Sequence, residues 1–422
     1  MARKQHQEQQ IGGFPEGLVN VAREDQLTPR QLRKALNIDI LPGGAVRRRA
    51  GYEKVLGDGR FHSLFTTPRL ALFVKDASLH WTSDFETSTV LMSGVSELSC
   101  VEINDTVYFS DGKRTGRITS DGMLHPVALN APSRQPFVSS VADGGLFAGI
   151  YQVAITYVAA DGSESGTRKA ATVQVVEGGG VLLESIPQPE EAVAFVRVYM
   201  TDPNGESLYF RTQIPVGVAS YEVGYFTPKK KLDTQFLSPI PPFTDATHYR
   251  GRLYVAAENA VVFSSPLNFG LHDMVANYLL FPTKVRGIAA TEGGLYVSDN
   301  DQVYFLRGSR PEEFSRTSVE AVAAQKGTMT EVDGAAFSDS AAGAPVAVWW
   351  SESGYLTAGF PDGSVQRVQE DKLAVPQYAQ GTISEVEREG VKQLVSVMKN
   401  PGMGSATAFE DSMTIEVHRN GI

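Results

Sequence analysis

Short runs of consecutive apolar residues, each carrying one aromatic, alternate along this chain with polar and turn-forming residues. Leu70-Ala71-Leu72-Phe73-Val74 precedes Lys75-Asp76, and Val107-Tyr108-Phe109 precedes Ser110-Asp111-Gly112. The phrase returns as Gly251-Arg252-Leu253-Tyr254-Val255 and as Gly294-Leu295-Tyr296-Val297 before Ser298-Asp299-Asn300. A last copy is Val346-Ala347-Val348-Trp349-Trp350 before Ser351-Glu352-Ser353-Gly354. From aromatic to aromatic the spacings are 35 residues (Phe73 to Tyr108), 42 (Tyr254 to Tyr296) and 53 (Tyr296 to Trp349). A strand repeat of this length predicts a β-propeller or a related array. One copy cannot bury its own apolar face, so several must stack around an axis.

The remaining pattern divides the chain into four stretches. Residues 1–60 read as an arm, with turn clusters at Gly12-Gly13-Phe14-Pro15 and Leu41-Pro42-Gly43-Gly44. Between them, Thr28-Pro29 followed by Leu32, Ala35 and Leu36 predicts a short capped helix. Residues 61–130 give strand, turn, strand, enough for about two blades. Residues 131–239 change character: Tyr151, Val153, Ile155 and Tyr157 alternate, then Val173 and Val175 follow, then Phe195 to Tyr199. Roughly seven short strands with a turn signal about every ten residues read as a β-sandwich, inserted between blades. Residues 240–422 resume the array behind the stiff segment Pro239-Ile240-Pro241-Pro242. They end in an alternating strand, Thr414 to His418, expected to close the wheel by pairing with an early one. The fold class is therefore all-β: a propeller-like array of antiparallel blades with an inserted β-sandwich and an N-terminal extended arm.

Composition sharpens this picture in two places. No apolar run approaches the ~18 residues of a membrane span, and the polar N-terminus does not read as a secretory signal. A lone cysteine, Cys100, leaves no internal disulfide, which fits a reducing cytoplasm. The net charge of −10 is uneven: residues 1–60 hold 11 Lys/Arg and 7 Asp/Glu, leaving 27 basic and 41 acidic residues on the rest. An arm of +4 on a body of −14 argues against sequence-specific DNA binding, which depends on neutralising phosphates.

Candidate chemistry is thin. The seven histidines, His6, His62, His80, His125, His248, His272 and His418, show no i, i+2 or i, i+4 pair suited to a metal. Asp299-Asn300-Asp301 and Asp161-Gly162-Ser163-Glu164 lack the full calcium-loop register and read as turns. Gly178-Gly179-Gly180 has no following helix or Lys-Ser/Thr, so it is not a phosphate loop. No sialidase-type turn and no Gly-x-Ser-x-Gly elbow occurs. Cys100 reads as a small buried hydrophobe. The reading is of a non-enzyme without catalytic residues, cofactor or metal. Two basic runs remain, Arg47-Arg48-Arg49 and Lys229-Lys230-Lys231. Arg47, Arg48 and Arg49 are the candidates for docking onto an acidic neighbouring subunit, since arginine forks pair with carboxylates.

The arm also carries a resemblance. Gly12-Gly13-Phe14-Pro15, then Ala35-Leu36-Asn37-Ile38-Asp39, then Gly43-Gly44-Ala45-Val46-Arg47-Arg48-Arg49-Ala50-Gly51-Tyr52 resembles the opening of tail proteins from short-tailed bacteriophages, with Ala50 where a proline is usual. Tyr249 to Val255, Phe263-Ser264-Ser265-Pro266, Gly293 to Val297 and Val303 to Gly308 are similar to blades of phage tail nozzle and hub propellers. The spacing of residues 131–239 resembles a fibronectin type III domain. The likeness implies a virion tail protein, assembled in the host cytoplasm. Several copies, expected to be six, would form a ring below the portal and adaptor, with adaptor and tail fibre as partners. DNA would pass without specific contact through an acidic channel, and the arm would lock onto neighbours. The competing class is a carbohydrate-binding or glycan-hydrolysing propeller, with Trp81, Trp349 and Trp350 as stacking candidates. A cytoplasmic scaffold unconnected to a virus is a third.

Overall fold

The computed structural model describes residues 12–41, 43–49, 51, 55–190, 193–225, 227, 230–337, 341–378, 380–388, 391–399 and 413–418. Regular structure among them is strand, apart from three single 3-10 turns.

Five four-stranded antiparallel meanders and one three-stranded sheet follow one another along the chain outside the sandwich. The first blade runs from Phe61–Thr66 to Thr89–Ser93, and the second from Ser99–Ile103 to Leu124–Pro126. The third runs from Asp245–Tyr249 to Tyr278–Leu280, the fourth from Gly287–Thr291 to Ser315–Glu320, and the fifth from Thr330–Asp333 to Val365–Val368. The sixth consists of Gln380–Arg388, Val391–Lys399 and Met413–His418. Phe73, Tyr108, Tyr254, Tyr296 and Trp349 all fall on the second strand of their blades, Ala71–Lys75, Thr106–Ser110, Arg252–Ala257, Gly294–Ser298 and Pro345–Trp350. That strand is covered on both faces by neighbouring blades, which is why it is written as a continuous apolar run rather than an alternating one.

Each seam between consecutive blades is its own apolar cluster. Leu72 and Val74 meet Val107 and Phe109 between the first and second, and Ile103 meets Leu253 and Val255 between the second and third. Tyr254 and Phe263 meet Ile288 and Val297 between the third and fourth. Tyr296 and Phe305 meet Ala347 and Trp349 between the fourth and fifth, and Val348 and Trp350 meet Ile383 and Leu394 between the fifth and sixth. Between sixth and first blade, His62 on the first blade's inner strand has its pKa lowered by burial and, less, by the charge of Lys399 on the sixth.

The inner strands of the second and third blades lie side by side although more than a hundred residues separate them in sequence. The intervening chain makes the sandwich, whose core joins Tyr151, Val153 and Ile155 to Val181, Leu183 and Val198. One sheet orders Phe137–Val141, Gly180–Glu184 and Ser220–Val223; the other orders Ala171–Val175, Gly149–Val158, Phe195–Met200 and Tyr209–Pro215. Named B, C, C′, E, F and G in chain order, the first six strands reproduce an immunoglobulin-type pairing, B beside E and C′-C-F-G opposite. The seventh lies beside E, where strand D sits in that scheme.

Two expectations are corrected. Residues 28–36 form no helix: Leu32 donates to Gly17 O at 2.9 Å and accepts from Val19 N at 2.8 Å, so pairing with the arm's own first segment takes the backbone groups a helix would need. The C-terminal strand Met413–His418 pairs antiparallel with Val391–Lys399 of its own blade, not with an early strand, so the wheel is not closed by strand exchange.

Candidate functional site

The inner strands of the blades are acidic. They carry Glu102, Asp245, Glu331, Asp333, Glu385 and Glu387, and among Lys and Arg only the terminal Arg388. Two of these carboxylates come together around the fourth blade. Its inner strand Gly287–Thr291 pairs with Gly294–Ser298 on one edge, so the N–H groups of Ile288 and Ala290 point away from the sheet and need acceptors. Asp245, on the third blade, accepts from Ile288 N at 2.9 Å and from Ala246 N at 3.0 Å. Glu331, on the fifth, accepts from Ala290 N at 2.7 Å and from the Thr247 hydroxyl of the third. The third and fifth blades therefore touch across the fourth.

Removal from water, with the Glu331 charge as a lesser cause, pushes the Asp245 carboxyl up to about 7. Surrounding protein also raises Glu331, against the pull of Thr247 and Ala290 N, although its side chain still reaches solvent. Perturbed carboxylates in a protein interior are where acid–base chemistry is sought. Here the oxygens are committed to backbone donors, and among the described residues no histidine, lysine or hydroxyl is bonded to either apart from Thr247. The arrangement holds blades together.

A further pair links blades that are not consecutive: Lys326 Nζ lies 3.0 Å from both carboxylate oxygens of Glu97, joining the loop before the fifth blade's inner strand to the loop before the second's. Both side chains are about half exposed, so this is a surface ion pair.

The arm docks onto its own wheel at the fifth and sixth blades. Val19 is buried, Leu18 packs on the fifth-to-sixth cluster, and Asn20 N donates to Lys372 O at 2.8 Å. The Asn20 amide donates to Ala374 O at 2.7 Å and accepts from Ala374 N at 2.8 Å. Beyond it, Ile38–Ile40 pairs with Val46–Arg48 in an exposed hairpin. Asp39 holds Arg49 at 3.0 Å and Arg47 at 3.8 Å, while Arg48 stands on the exposed strand. The arginine run is thus split: Asp39 holds Arg49 closely and Arg47 more loosely, and Arg48 stands on the exposed strand. Of the lysine run, Lys229 lies outside the described residues and Lys230 sits 3.4 Å from Asp233.

The other singled-out residues fall where turn and core chemistry puts them. Asp299 Oδ1 accepts from Asp301 N at 2.9 Å and Gln302 N at 3.0 Å, an Asx turn. Asp161 caps its own turn through Ser163 N and pairs with Arg117 across from the second blade. Glu164 accepts from Thr156 and Tyr199 hydroxyls at 2.6 Å and pairs with Arg197 at 2.6 Å, closing a polar knot on the sandwich that the turn reading missed. Burial pushes the Cys100 thiol up, away from reactivity. His62, His80, His248 and His272 are all lowered, chiefly by burial. No cluster of three or more metal-ligating side chains occurs among the described residues. Trp349 and Trp350 are wholly buried and cannot stack a sugar; Trp81 is half-buried against Gly122. No helix among the described residues is long and apolar enough to cross a membrane.

No family model matches the chain, and no curated protein matches it. Among solved structures it is similar to BBS1N in complex with ARL6DN, at 10% identity over 86% of this chain and 93% of that one, TM-score 0.35. It is also similar to virginiamycin B lyase from Staphylococcus aureus, at 10% identity over 81% and 90%, TM-score 0.34. Hsv2 from Kluyvelomyces marxianus aligns at 9% identity over 81% and 89%, TM-score 0.31. The propeller stands on its own strand pairing.

Proposed function

We propose that this chain is a structural subunit of a virion, a ring-forming component of a short phage tail through which the genome is retained and then released. The observation that carries the reading is the separation of charge. A basic arm presents Arg47 and Arg48 on an exposed hairpin, while the body it leaves carries −14. Such a molecule is complementary to a second copy of itself, and a head-to-tail contact of that kind generates a ring when the rotation closes.

In this reading the passage is the one enclosed by the ring of copies. An acidic body lining it repels the phosphate backbone, so DNA moves without sticking. The sandwich, outside the row of blades, is free to meet other tail components. The test is mass photometry and negative-stain microscopy of the purified protein at low salt. Rings of uniform copy number support the reading. A protein that stays monomeric and cleaves or binds a surface glycan contradicts it.

A further inference from the structure

A cleft of about 660 Å³ opens where the sandwich meets the third blade, lined by Arg134, Arg168, Lys169, Phe236 and Met274 among others, and by no carboxylate. In a chain with more acids than bases this is a selective accumulation of positive charge. All three cations are exposed, and none makes an ion pair with a described residue. Arg168 Nε donates to Pro132 O at 3.0 Å and Arg134 lies over the Phe137 ring, so both guanidinium groups are held in place at the rim. The apolar side is equally unspent. Phe236 is 55% exposed with φ of +63°, and Met274 is 65% exposed. A bulky residue in left-handed backbone is strained, and such strain concentrates at binding sites.

The occupant this cleft fits is an anionic segment bearing an aromatic. The chain displays one. Between the third and fourth strands of the first blade, Asp84-Phe85-Glu86 forms a tight turn in which Phe85 N donates to the Thr82 hydroxyl at 2.9 Å and Glu86 N to Asp84 Oδ1 at 2.9 Å. Phe85, with φ of +58°, is presented outward between two carboxylates. We propose that the Asp84-Phe85-Glu86 turn of a second copy inserts into this cleft, its carboxylates meeting Arg134, Arg168 and Lys169 and its ring resting on Phe236 and Met274. The turn sits on the first blade and the cleft between sandwich and third blade, so the contact joins two different patches of the two copies and propagates head to tail, as a ring requires. This rests on the ring reading above.

The test pairs two charge reversals in sedimentation velocity: Arg134→Glu with Arg168→Glu and Lys169→Glu on one chain, Asp84→Lys with Glu86→Lys on another. Far-UV circular dichroism melts confirm that each folds. Each variant alone is expected to self-associate at least about tenfold more weakly, and an equimolar mixture to recover hetero-association. A peptide spanning residues 80–90 is expected to bind the unmodified protein, more weakly at high salt and after Phe85→Ala. Rings that persist unchanged in both variants overturn the contact and leave the ring reading standing. Peptide binding without self-association of the unmodified protein overturns the second copy as occupant and the ring reading with it. Failure of the peptide to bind overturns the proposal whatever the oligomeric state.

Discussion

Asp245 and Glu331, from the inner strands of the third and fifth blades, grip the same edge of the strand between them by accepting from Ile288 N and Ala290 N, two residues apart. A carboxyl raised to about 7 from 3.8 binds its proton in the folded state across a range where the unfolded chain has lost it. Its contribution to stability is therefore full below pH 3.8 and is lost as pH rises through about 7. The melting temperature is expected to fall between pH 5 and pH 8, and Asp245→Asn to flatten that slope in calorimetry. Asp245→Ala, which strands the Ile288 and Ala246 N–H groups, is expected to cost about 1–3 kcal/mol in urea unfolding.

Asp333 has the opposite sign. Lys392, 2.8 Å away, with the N–H groups of Ala335 and Gly343, holds its carboxyl well below the usual range. Stability from this group is present above the ordinary carboxylate pKa and is lost only in strong acid. Lys392→Met is expected to move the onset of acid unfolding, followed by circular dichroism, to higher pH.

Tyr296 shows how tightly the repeated aromatic is built in. Its single hydroxyl proton is shared between Phe360 O at 2.7 Å and Ser364 O at 3.0 Å, and its ring covers Gly359, where an added Cβ would lie 2.5 Å from the ring. Tyr296→Phe is expected to cost about 1 kcal/mol. Gly359→Ala is expected to cost about 1–3 kcal/mol through overpacking. Both are read from chemical denaturation midpoints.

The arm depends on Asn20, whose amide makes a reciprocal pair of hydrogen bonds with the Ala374 backbone. Asn20→Ala is expected to raise amide exchange across residues 12–35 while leaving exchange in the second strands of the blades unchanged, because the arm is bound to a wheel that does not need it to fold.

Excision of the sandwich tests the insertion. Ile103 already meets Leu253 and Val255 across the seam between the second and third blades. Replacing residues 131–238 by a short Gly-Ser linker is expected to leave a folded, cooperatively melting wheel. Aggregation of that deletion would show that the sandwich supports the blades.

What the sequence disclosed follows from where burial is symmetric. Phe73, Tyr254, Tyr296 and Trp349 sit on strands covered on both faces, and such strands must be written as unbroken apolar runs. The sandwich shows through the alternation of its large residues: Tyr151, Val153, Ile155 and Tyr157 enter the inter-sheet core, while the smaller Ala154 and Thr156 are buried on the strand's other face. The acidic clamp was not visible. Asp245 and Glu331 sit in short inner strands without a period, and their partners are backbone N–H groups 43 and 41 residues away, which no side-chain pattern records. The Thr28-to-Leu36 segment has helix spacing, yet one strand-like bridge from Leu32 to Leu18 outweighs a single marginal turn. The cationic cleft draws Arg134 and Arg168 from separate loops, with Phe236 from a third, so only the fold assembles it.

Electron cryo-microscopy of the purified protein at low salt decides whether copies assemble. Several copies are expected around an open passage walled by carboxylates, with the Val46–Arg48 strand of each against its neighbour. A single isolated copy, or a passage lined by lysine and arginine, would contradict that expectation.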